Sequence, residues 1–96
     1  MTPQQILELL IIALKGAGFV VYENDDHVTP SAFPGDAIAY IFHDQVELYL
    51  VNGGRTAENG QMAADRAATA IHAAGLQAEP GVAGTLVNGR VIVTSA

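Results

Sequence analysis

The segment from Pro3 to Lys15, PQQILELLIIALK, constrains the fold most, because it has both the apolar pattern of a helix and the residues that favour a helix start and a helix end. Thr2 and Gln5 have the spacing of a capping box, and Pro3 takes the first helical position, where proline is favoured. Lys15 complements the helix dipole, and Gly16 suits the left-handed conformation that ends many helices. The sequence therefore predicts a first helix over Pro3–Lys15.

This helix is apolar over more of its surface than contact with one sheet requires. At about 100° per residue, Gln4, Glu8 and Lys15 form one polar stripe, and most of the leucines lie opposite it. Ile11 and Ile12 flank the polar stripe instead. Complete burial of one such side chain stabilises a fold by about 1.5–3 kcal/mol, so leaving both in water would waste much of their contribution.

Two interpretations of these isoleucines stay open. Either a wide core or the Pro-containing loop Asp25–Asp36 covers them, or this part of the helix faces a partner. The partner could be a second copy of the chain, since twofold homodimers are the commonest assembly. Under the second interpretation the candidate partner-binding residues are Leu7, Ile11 and Ile12.

Runs of β-branched and aromatic residues predict three strands after the first helix. They cover Gly18–Asn24, Ala37–Phe42 and Val46–Val51, and a three-residue loop, HDQ, joins the last two. Alternation places Ile38, Tyr40 and Phe42 on one face of the second strand, and Val46, Leu48 and Leu50 on one face of the third.

The second half of the chain predicts one helix and two strands. Thr56 is the expected cap of an alanine-rich helix over Ala57–Ala74, which Gly75 ends. Its small side chains favour a tightly packed helix over a docking surface. Asn88-Gly89 is a strong hairpin signal and predicts strands over Val82–Val87 and Arg90–Thr94.

The resulting element order is α-β-β-β-α-β-β, which predicts a single α+β domain over residues 1–96. We expect two layers, an antiparallel sheet with two helices packed on it. The order, the size and the acidity are similar to those of small acidic secretion-chaperone-like domains, although the last helix of that family is missing. The resemblance implies binding of unfolded or extended client segments, and it carries no site residues over to this chain.

Composition excludes several classes of function. The net charge is −6, and the four cationic residues are scattered, which argues against direct nucleic-acid binding. The absence of cysteine excludes disulfides, thiol catalysis and cysteine-based zinc sites. The first apolar run is broken by Glu8 and has no positive segment before it, so we expect no membrane span and a cytoplasmic location.

Three patterns could carry chemistry. The loop Glu23–His27, ENDDH, offers oxygen ligands for a hard cation, although a solvated turn explains the same residues. The segment Asn52–Thr56, NGGRT, precedes a helix and could attract an anion, but it lacks the P-loop pattern. The histidines at 27, 43 and 72 have no local partner at metal-ligand spacing, and Ser31 and Ser95 lie in no nucleophile motif.

The sequence therefore favours a non-catalytic protein-binding module without a cofactor. We expect a chaperone- or adaptor-like homodimer that holds its partner through an apolar helix or a sheet edge. One alternative is a phage-encoded protein, either an inhibitor of a host defence or a virion assembly part. The other is an enzyme that binds a metal or a small molecule with the loop Glu23–His27.

Overall fold

The computed structural model describes residues 1–23, 37–50, 60–79 and 91–96. These residues form two helices and five strands in the order α-β-β-β-α-β-β, so the predicted α+β class and element order are confirmed. The elements are α1 (Pro3–Gly16), β1 (Val21–Glu23), β2 (Ala37–Phe42), β3 (Gln45–Leu50), α2 (Gly60–Ala73), β4 (Leu76–Glu79) and β5 (Val91–Ser95).

The five strands form one mixed sheet in the order β1-β2-β3-β5-β4. β1 pairs with β2 in parallel, with Tyr22 opposite Ile38, whereas the other neighbouring strands are antiparallel. The prediction of an entirely antiparallel sheet was therefore wrong at this pair. A tight hairpin would have produced an antiparallel pair, but residues 24–36 separate the two strands, and parallel pairing needs a connection of that length.

The strand that directly follows α2, β4, was not predicted from the sequence. The strand next to β5 is β4, with Leu76 opposite Ser95 and Glu79 opposite Ile92. Its signal in the sequence is weak because it is short and only Leu76 and Ala78 alternate toward the core. The predicted strand Val82–Val87 and the Asn88-Gly89 turn lie outside the described residues.

The turn between β2 and β3 contains two residues, His43 and Asp44, and both have positive φ, 50° and 61°. Positive φ at both central positions is the requirement of a type I′ hairpin turn. The predicted three-residue loop was wrong because Gln45 already pairs with Phe42. The predicted bounds of β2 are confirmed.

The predicted start of α1 is confirmed in detail. The Gln5 backbone N–H donates to the Thr2 hydroxyl oxygen at 3.2 Å, and the Thr2 N–H donates to the Gln5 side-chain oxygen at 2.9 Å. The predicted end, Lys15, lies one residue before the observed end, and the left-handed conformation expected at Gly16 occurs two residues later. Gly16 remains helical, and Gly18 has the positive φ, +92°.

Helix α2 begins at Gly60, and the predicted cap Thr56 lies outside the described residues. Gly75 follows the helix with a φ of +79°, which confirms it as the residue at which the chain turns from α2 into β4. Ala64 and Ala67 are buried, and α2 contacts both α1 and β4. Small side chains on α2 therefore allow it to approach its neighbours closely, as expected of a tightly packed helix.

One hydrophobic core joins both helices to one face of the sheet. From α1 it takes the side chains that lie opposite the polar stripe, together with Ile11. From the strands it takes alternate residues, as the period of two requires. Among the described residues, the larger side chains that are fully buried are Leu10, Leu14, Val46, Leu48, Ile71, Leu76 and Val93.

No helix within the described ranges is long and apolar enough to cross a membrane.

Candidate partner-binding site

The face of the sheet opposite the shared core is rich in tyrosine. In β2 and β3, residues 38, 40, 42, 47 and 49 alternate with the core residues and therefore point to this face. The parallel register adds Tyr22, which lies opposite Ile38. We call this surface the tyrosine face and define it by Tyr22, Ile38, Tyr40, Phe42, Glu47 and Tyr49.

The tyrosine face contains most of the aromatic residues of the chain. All three tyrosines lie on it, together with Phe42, while Phe19 lies in the helix-side core. Phe42 is 49% exposed, which places it among the exposed large hydrophobic residues of the described chain. Tyrosine and phenylalanine are enriched in protein interfaces because a large rigid ring adds contact area at a small cost in entropy.

At the centre of this face, Tyr40 and Glu47 form a cross-strand pair. The Tyr40 hydroxyl donates a hydrogen bond to a Glu47 carboxylate oxygen at 2.8 Å. Glu47 is only 6% exposed, so this bond forms in surroundings where water competes weakly. A buried carboxylate needs such donors, and a bond to a charged acceptor is stronger than one between neutral groups.

The rings of Tyr40 and Tyr49 lie beside this hydrogen bond. Their centroids are 6.2 Å apart and their planes are inclined by 81°, the edge-to-face arrangement that aromatic pairs favour. Ile38 lies opposite Tyr49 in the register and next to Tyr22. Although Ile38 is only 3% exposed, it does not belong to the core that the helices share. Ile38 and Glu47 are therefore shielded from water, the three tyrosines are half-buried, and Phe42 is the most exposed residue of the tyrosine face.

The three candidate residues on α1 have different environments. Leu7 and Ile11 are 8% and 7% exposed and belong to the core, whereas Ile12 is 69% exposed. The two open interpretations therefore separate between the isoleucines: the protein's own core covers Ile11, whereas Ile12 is left uncovered. The core covers a wider part of α1 than the sheet alone could cover, because α2 also packs against α1. A contact surface on α1 would be centred on Ile12.

A groove lies between the end of α1 and the C-terminal half of α2. It is lined mostly by alanines, together with the side chains of Arg66 and Thr69. Thr69 and Arg66 each make a contact within the chain. The Thr69 hydroxyl donates to the Asp65 carbonyl oxygen at 2.9 Å, and the Arg66 guanidinium lies over the Phe19 ring. Ligand sites usually combine an apolar wall with several convergent polar groups, and this groove does not.

The candidates for chemistry stay separate where the structure describes them. His43 lies in the β2–β3 turn and His72 lies on the exposed side of α2, as expected, and Ser95 ends β5. Within the described residues no three acidic or histidine side chains come together as a metal site would require. Asn52–Thr56, Ser31 and most of the loop Glu23–His27 lie outside these residues, and Glu23 is the last residue of β1.

Sequence reasoning found part of the tyrosine face and missed the rest. It placed Ile38, Tyr40 and Phe42 on a common face but attached no function to them. The signal for Glu47 and Tyr49 was present, because they alternate with Val46, Leu48 and Leu50. Tyr22 could not have been added, since only the parallel pairing of β1 brings it next to Ile38.

The fold and this site define an α+β domain whose mixed sheet has a helix-covered face and a tyrosine face. Comparisons of the chain with protein-family models, with characterised proteins and with solved structures found no match.

Proposed function

We propose that this protein is a non-catalytic protein-binding module that holds its partner against the tyrosine face. The observation that carries the proposal is the placement of the aromatic residues. The chain has six aromatic side chains, and Tyr22, Tyr40, Tyr49 and Phe42 lie on the sheet face that does not contribute to the shared core. A chain that needed these rings only for stability would place them in its larger core, where they bury most apolar area.

The chemical character of the face also favours binding over catalysis. Its polar centre is a carboxylate that accepts from a tyrosine hydroxyl, and the residues around it are aromatic or aliphatic. Interfaces commonly combine a few aromatic residues with a small number of satisfied polar groups. An inhibitor of a host defence or a virion assembly part would also act by binding a protein, so both fit this proposal.

A homodimer is the form of this function that can be tested first. Helix α1 supports a dimer less than the sequence suggested, because Leu7 and Ile11 are inside the core. A stable interface buries about 800 Å² on each partner, which one exposed isoleucine cannot supply. Sedimentation analysis of the wild type, of Phe42→Ser and of Ile12→Ser would show whether the chain dimerises and which surface is responsible.

A display library of random peptides tests the proposal directly. The immobilised wild type should enrich a set of segments, and Ile12→Ser should enrich the same set, because Ile12 lies on α1. Phe42→Ser and Tyr49→Ser should lose it. Circular dichroism would confirm that each variant folds. The proposal is wrong if the enriched segments bind the tyrosine-face variants as well as the wild type, or if the wild type neither enriches segments nor dimerises.

A further inference from the structure

We draw no further inference here: the strongest candidate, the groove between the end of α1 and the C-terminal half of α2, is a small-residue surface lined mostly by alanines, and nothing in the part of the chain that the structure describes shows what covers it.

Discussion

The guanidinium carbon of Arg66 lies 4.4 Å from the centre of the Phe19 ring and joins α2 to the segment that leads from α1 into β1. Phe19 is only 4% exposed, so the ring is held by the core while its face meets the cation. We expect a double-mutant cycle with Phe19→Leu and Arg66→Gln to give a coupling free energy of about 0.5–2 kcal/mol, the range typical of cation–π pairs. Urea unfolding of the four proteins measures it. Additive effects of the two substitutions would show that the contact contributes nothing.

The neighbouring isoleucines of α1 should respond differently to the same substitution. Ile11→Ala removes side-chain atoms from the core and should lower the free energy of unfolding by about 2–5 kcal/mol. Ile12→Ala acts at an exposed helical position, where alanine has the higher helix propensity, and should change it by less than about 0.5 kcal/mol. Thermal unfolding of the two variants compares them directly. Similar losses for both would mean that Ile12 is covered, in solution, by a second molecule.

The two glycines at the end of α1 provide another matched pair. Gly16 is the last helical residue, and a methyl group added to it would meet open space, so Gly16→Ala should stabilise the protein by up to about 1 kcal/mol. Gly18 has open space as well, but its φ is +92°, and Gly18→Ala should destabilise by about 1–2 kcal/mol. Denaturant unfolding of the two variants shows which glycine needs the left-handed conformation. If Gly16→Ala destabilises the protein and Gly18→Ala does not, the left-handed residue is Gly16.

The β2–β3 turn can be improved by one substitution. Asp44 has a φ of 61°, and glycine adopts positive φ without the steric cost that a side chain adds. We expect Asp44→Gly to raise the free energy of unfolding by about 0.5–1 kcal/mol. The ring contact between Phe42 and His43, with centroids 4.1 Å apart, is left in place. An increase in the melting temperature would confirm the prediction, and an unchanged or lower value would contradict it.

The tyrosine face and the α1 surface show why the candidate site could be predicted only in part. Alternation along β2 and β3 is a local property, and it places Tyr40 on one face of β2, and Glu47 and Tyr49 on one face of β3. The register, which pairs Tyr40 with Glu47, decides that these two faces lie on the same side of the sheet. Alternation does not say which side the helices will cover. That depends on how α1 and α2 pack, and the same packing buried Ile11 while it left Ile12 in water.

The amino-acid sequence by itself determined the features that depend on neighbouring residues. These are the capping box at Thr2, the bounds of β2, the turn at Gly75 and the order of helices and strands. Only the tertiary structure decided that β1 runs parallel to β2, that Leu76–Glu79 pairs with β5, and that the core extends to Ile11. The physical reason is that caps, turns and alternation arise within a few residues. Strand partners and the width of a core arise between segments far apart in the chain, where many pairings have similar local signals.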